Sequence, residues 1–224
     1  MTVVVAIDGP SGAGKSTVGY ALAQRIDAAF VDTGLMYRAL TLAALERGID
    51  LEDGPMLGSL AADCRIEVER PRPDQTDRLE TVLLDGRDVT LAVREPPVDR
   101  AVSAVSRHAD VRDAMLGVQR GSALRGDVVM VGRDIGTVVL RDASLKVYLT
   151  AGAEVRAARR AAEMGAPDRI TAYLDEILRR DTADSGRDVA PLRIPTGALI
   201  LDTGQLDVDA CVDAIVERLE AIGA

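Results

Sequence analysis

The sequence predicts an α/β fold: a parallel sheet of five strands with helices on both faces. Three observations predict it. Gly9-Pro10-Ser11-Gly12-Ala13-Gly14-Lys15-Ser16 spells G-x-x-x-x-G-K-[ST], with the apolar run Val3-Val4-Val5-Ala6-Ile7 before it and a helical pattern from Thr17 to Arg25 after it. Strand, glycine loop and helix together turn backbone N–H groups and a helix N-terminus toward a phosphate chain. Four further short apolar segments, at 29–32, 128–131, 145–149 and 198–201, are separated by helical pattern, the signature of a sheet covered on both sides. A last helix over 207–222 opens on the capping residue Asp207 and carries one apolar stripe through Val208, Cys211, Val212, Ile215, Val216 and Leu219.

Nearly a hundred residues separate the second and third core strands, far more than one crossover needs. This insert is punctuated as a β-hairpin unit with helices. Residues 65–69 alternate, a Pro- and Asp-rich loop runs from Pro71 to Asp77, and 79–84 meets 88–90 through the turn Asp85-Gly86. Helices are expected over 97–107 and 110–124. Residues 152–186 read as a second mobile part: helical, dense in Arg and Asp, broken at Gly165-Ala166-Pro167, and short of apolar anchors. That composition suits a charged hairpin able to close over a site. The expected division is core 1–35, insert 36–111, core 112–151, lid 152–187 and core 188–224, in one folded unit.

The 224 residues hold one Phe, four Tyr and no Trp, so the core must be aliphatic. Cys64 and Cys211 match no metal or redox spacing and read as buried apolar residues in a reducing compartment. The lone His108 cannot make a zinc site by itself. Met1-Thr2 leads straight into the first strand and no apolar run approaches the roughly 20 residues of a membrane span, so the expectation is a cytoplasmic chain with no membrane partner. A net charge of −9 argues against nucleic acid as the main partner. All basic residues but Lys15 and Lys146 are arginine. Coding bias explains that count; it does not explain the crowding of Arg156, Arg159, Arg160, Arg169, Arg179, Arg180 and Arg187 into one segment.

Chemistry can be assigned to four segments. In the first, Lys15 offers a mobile charge to the β and γ phosphates and Ser16 a hydroxyl to Mg²⁺. The second strand is read as ending Val31-Asp32-Thr33-Gly34-Leu35-Met36-Tyr37-Arg38 beside the first, which would bring Tyr37 and Arg38 to a second phosphate; as structure alone, Asp32-Thr33-Gly34 is a helix-capping turn. The third strand ends Val131-Gly132-Arg133-Asp134-Ile135-Gly136, an Arg-Asp pair suited to an anion and to a base or metal-bound water. The fourth runs from Arg179 through Arg180, Asp181, Asp184, Arg187 and Asp188 to Leu192, a mixture that a solvated helix face would also show.

Taken together, Ile7 to Ser16, Asp32-Thr33-Gly34 with Tyr37-Arg38, Gly132 to Val139, and Arg180-Asp181 with Ala190-Pro191-Leu192 resemble the nucleoside monophosphate kinases, and among them the bacterial cytidylate kinases. The resemblance spans essentially the whole chain, including the long insert. It implies that Gly9, Pro10, Ser11, Gly12, Ala13, Gly14, Lys15, Ser16 and Thr17 bind ATP·Mg²⁺, with Arg156, Arg159 and Arg160 of the lid over its phosphates. Thr33, Tyr37, Arg38 and Arg133 would surround the phosphate and near side of CMP, Ser103, Arg112 and Asp134 would read cytosine, Arg187 would meet base or phosphate, and Arg180 and Asp184 would grip the ribose. Ser106, one helical turn from Ser103, is the competing choice there, and Thr33 stands where serine is the commoner residue of the family. Lys15, Arg133, Arg159 and Arg180 would carry catalysis.

Those placements suit the chemistry. Phosphoryl transfer asks for two phosphates in line with their charge neutralised, and arginine donates in pairs and stays charged. A carboxylate at Asp134 can accept from cytosine N4 but would face the O4 lone pairs of uracil. The expected reaction is transfer of the ATP γ-phosphoryl group to CMP or dCMP by a monomer. A phosphate-loop kinase for another monophosphate or a small metabolite is the nearest alternative. A nucleotide switch would need a guanine-reading N-K-x-D segment, which the sequence lacks.

Overall fold

The computed structural model describes residues 2–223 except Asp77 and Asp188, together with the backbone but not the side chain of Arg125. The readings made of Asp77 in the Pro-rich loop and Asp188 in the fourth motif lie outside the described residues. From the amino end, β1 (Val4–Asp8) leads through the glycine loop into α1 (Lys15–Arg25). Then come β2 (Ala29–Asp32), α2 (Thr33–Glu46), α3 (Gly54–Asp63), β3 (Ile66–Glu69), β4 (Thr81–Leu84), β5 (Arg87–Asp88), α4 (Pro96–Ser106) and α5 (Ala109–Ser122). The rest of the chain forms β6 (Val128–Gly132), a π-helical turn Ile135–Val139, β7 (Leu145–Thr150), α6 (Ala153–Glu163), α7 (Ile170–Ser185), β8 (Leu199–Asp202) and α8 (Val208–Ala221). Every core strand falls within one residue of its expected bounds.

The main sheet has five strands in the order β2-β6-β1-β7-β8. β1 pairs in parallel with β6, Asp8 opposite Gly132, and with β7, Asp8 opposite Tyr148. Expected beside β1 was the second strand; β6 takes that place, and so the Arg133-Asp134 segment leaves the sheet right next to the glycine loop. β1 and β6 are buried nearly throughout because Val, Ile, Ala and Met fill both faces of each.

Two compact units divide the chain, Met1–Ala28 with Asp127–Ala224, and Ala29–Gly126. In the first, α1 packs on β6 and against α8, whose apolar stripe Cys211, Val212, Ile215 and Leu219 is buried as its spacing predicts. In the second, α2 is buried on almost every side and packs against α4, α3 packs against α5, and β3, β4 and β5 form an antiparallel sheet. Asp32 caps α2 and Asp53 caps α3, each carboxylate accepting an N–H of the first turn.

Candidate active site

The glycine loop is shaped by close approach. At Gly9 (φ +155°) a Cβ would stand 2.2 Å from the Leu149 carbonyl oxygen, and at Gly12 (φ +75°) it would meet Arg156 Cβ at 3.1 Å, so neither position takes a larger residue. Lys15 differs from the exposed loop residue its motif suggests. It is the first residue of α1, buried, and its ammonium donates to the Pro10 carbonyl at 2.7 Å, folding back over the loop it serves. Ser16 follows, half-buried in the same first turn, whose N–H groups have no i−4 acceptor within the helix. Beyond β8, Thr203 buttresses the loop, its hydroxyl 3.2 Å from the Ala13 carbonyl. Arg159 donates to that hydroxyl at 3.0 Å and to the Thr203 carbonyl at 2.6 Å, which lays its guanidinium beside Gly14.

The arginines of the lid segment are already partnered. Arg156 is buried and donates to the carbonyls of Ala151 (2.9 Å) and Ser11 (2.9 Å) and in a fork to Asp181 (3.1 and 2.7 Å). It ties the foot of α6 to the glycine loop and to α7. Arg160 pairs with Glu163, one turn on along α6, and Arg180 with Glu176, one turn back along α7. Asp184, buried on α7, takes Arg133 Nε at 2.8 Å on one oxygen and Arg187 on the other. A shortage of apolar anchors was also expected here; α6 and α7 share a seam of Ala157, Ala161, Tyr173 and Ile177 that holds them as one hairpin.

Asp134 is buried at the start of the turn after β6. The first N–H groups of that turn, from Ile135 and Gly136, are accepted by the two oxygens of Asp8 at 2.6 and 2.8 Å. Burial, helped by the charge of Asp134, raises the Asp8 carboxyl from 3.8 to about 6, against the two N–H bonds and Lys15, which favour its ionised form.

In the second unit Thr33, Tyr37 and Arg38 are helical residues of α2 and not the end of a strand: β2 stops at Asp32, whose carboxylate accepts the Gly34 N–H at 2.9 Å. The capping turn read from Asp32-Thr33-Gly34 is therefore present, and i, i+4 spacing brings Thr33 and Tyr37 onto one face of α2. Arg38 is held by the Asp99 carboxylate and the Val93 carbonyl (3.2 Å). Arg112, buried on α5, lies over the Tyr37 ring with its guanidinium carbon 5.5 Å from the centroid and donates to the Ser106 carbonyl at 3.1 Å. Ser103 is half-buried within α4, whereas Ser106 is buried at its end. Sequence reasoning missed Asp99, Thr203 and Glu80 and quoted Asp181 without a role, though these orient the arginines and the cap of α2; of the long-range partners only Asp8, a carboxylate closing an apolar strand, leaves a local signal.

No group of three or more His, Cys, Asp or Glu among the described residues could hold a metal. Ser16 alone, beside a phosphate loop, fits a cation such as Mg²⁺ held mainly by nucleotide oxygens and water. Among the described residues no helix is long and apolar enough to cross a membrane.

A parallel sheet whose central strand opens into a glycine loop, with arginines and carboxylates gathered beside it, defines a phosphate-loop phosphotransferase. A gluconokinase from Sinorhizobium meliloti shares this fold at a TM-score of 0.50 and 16% identity, over 99% of this chain and 95% of its own. The cytidylate kinase profile matches residues 5–221. Cytidylate kinases of Exiguobacterium sibiricum and Geobacillus kaustophilus are 46% and 45% identical, over 97% and 99% of this chain and 97% and 98% of theirs. The chain belongs to the cytidylate kinase family.

Proposed function

We propose that the chain transfers the γ-phosphoryl group of ATP to CMP and dCMP, giving ADP with CDP or dCDP. The observation that carries this reading is the family match over nearly the whole chain, to which the half-buried, carboxylate-held Arg38, Arg133 and Arg180 add a chemistry. A phosphate oxygen of the acceptor attacks the γ-phosphorus as the bond to the β-phosphate oxygen breaks. That oxygen is already anionic, so no side chain need remove a proton.

The remaining work is positioning and charge. The backbone of 9–17 and Lys15 take the ATP phosphates, Lys15 exchanging the Pro10 carbonyl for a phosphate oxygen at little cost in reach. Mg²⁺, near Ser16, supplies neutralisation of the phosphate charge when bound. Arg159, fixed by Thr203, is the best placed lid cation for the loop, with Arg160 further along the same helix. The acceptor phosphate falls to Thr33, Tyr37, Arg38 and Arg133, the base to Asp134, Arg112 and Ser103, and the ribose to Arg180 and Asp184, with Arg187 at base or phosphate. The segments 36–111 and 152–187 act as acceptor-binding unit and lid. The chain works as a cytoplasmic monomer. The test is ADP release with CMP, dCMP, UMP and AMP compared as acceptors in the presence and absence of Mg²⁺. Equal turnover of AMP and CMP would overturn the assignment of a cytosine-reading site.

A further inference from the structure

We infer that Asp8 is a positioning residue for the acceptor site: it sets Arg133 and Asp134 against the phosphate loop by capping the turn that follows them. The inference rests on the proposed roles of Arg133 and Asp134. The helical turn Ile135–Val139 begins with N–H groups that its own fold cannot satisfy. Asp134, the residue in the capping position, supplies no side-chain bond to it. The cap comes from 127 and 128 residues away, one Asp8 oxygen on Ile135 and the other on Gly136.

Asp8 is fully buried, a place a carboxylate occupies only when its oxygens are satisfied. It is also the last residue of the central strand and the one before Gly9, so a single side chain joins the start of the phosphate loop to the residues directly after Arg133-Asp134. Its register partner in β6 is Gly132, the residue directly before them. Arg133 and Asp134 are thus bracketed, by a strand pairing on one side and by the carboxylate on the other. Gly136 is crowded from three directions, a Cβ there meeting Pro195 at 3.0 Å, Asp8 Oδ2 at 3.2 Å and Lys146 at 3.3 Å. The turn therefore has little room to settle elsewhere.

Two variants test the clamp. Asp8→Asn keeps the shape but turns an NH₂ toward one of the two N–H donors. Gly136→Ala keeps the carboxylate and drives a methyl against it. At a temperature where circular dichroism shows each variant folded, kcat and the KM values for CMP and ATP are measured, and amide resonances of Ile135 and Gly136 are followed in ¹⁵N spectra. Leaving one buried donor unsatisfied typically corresponds to a factor of about 5 to 150, so kcat/KM for CMP is expected to fall by at least about fivefold in Asp8→Asn. The KM for ATP should move less, and the Ile135 or Gly136 resonance should shift. Wild-type CMP kinetics in folded variants with shifted amides would overturn the inference and give Asp8 a purely structural role, as would failure of both variants to fold. If the wild-type protein itself does not phosphorylate CMP, it is the functional reading that fails, and the amide shifts still report whether the clamp exists.

Discussion

Replacing Glu80 with glutamine should stabilise the protein in alkaline solution and leave it nearly unchanged in acid. Glu80 is 2% exposed and accepts the Asp32 N–H at 2.8 Å, behind the cap of α2. Burial, reinforced by the charge of Asp32, pushes its carboxyl from 4.5 up to about 8, against the Asp32 N–H bond and Arg94. The sign follows from proton counting: between those two values the folded state holds a proton that the unfolded state has released, so stability falls as pH rises through the interval. Each pH unit is worth about 1.4 kcal/mol, so by pH 7 the loss is on the order of 3 kcal/mol and it is complete above pH 8. A neutral amide can still accept the Asp32 N–H and loses nothing with pH. Urea unfolding followed by circular dichroism, the natural probe in a chain without tryptophan, should give matching stabilities near pH 5 and a variant ahead by a few kcal/mol near pH 8.5. Asp8 titrates in both proteins and cancels in the difference. Parallel stability profiles for wild type and variant would refute the reasoning, because Glu80 would then be ionised in the folded state at no cost.

The remaining predictions concern catalysis. Lys15→Ala should fold and lose turnover by on the order of 10²-fold or more, the size typical of a lost charge stabiliser; near-normal kcat would remove Lys15 from the mechanism. Hydrogen exchange across α6 and α7 should be slow along the Ala157–Ile177 seam at all times and should slow further around 164–170 when a two-substrate analogue binds; no change there would mark the hairpin as fixed. Asp134→Asn should shrink the CMP-to-UMP preference in kcat/KM by about 5- to 150-fold, the worth of one polar base contact. An equal fall for both acceptors would assign Asp134 to phosphate or metal geometry.

Local features of this fold were legible and long-range ones were not. The phosphate loop, the five core strands and α8 are written in contiguous runs, and the structure returns them within a residue, whereas the insert strands read at 79–84 and 88–90 lie at Thr81–Leu84 and Arg87–Asp88. Two helices escaped for a physical reason. α2 buries Leu35, Met36, Ala39, Leu40, Leu42, Ala43 and Ala44 around most of its circumference, so no single apolar stripe announces it. α3 is short and interrupted by glycine and proline at its start. The seam between α6 and α7 is built partly of alanines, which bury little area each and read as neutral spacing in an arginine-rich segment. The site followed the same divide. Its arginines were visible, but the carboxylates that hold them lie far away in sequence, as Asp99 does from Arg38, Asp181 from Arg156 and Asp184 from Arg133.

Those carboxylates resolve an apparent conflict between an acidic protein and a polyanionic pair of substrates. A cluster of unopposed arginines would bind phosphate tightly but would repel itself in the folded state, and it would hold the products as firmly as the substrates. Here the planar guanidinium groups are oriented in advance by Asp99, Asp184 and Glu176, which fixes their rotamers. In the site proposed above, an arriving phosphate would share or displace these carboxylates, so part of its attraction would offset bonds already made. The ordering cost would then be met in folding and the net affinity kept moderate. That balance suits an enzyme that must release two nucleoside diphosphates after each transfer.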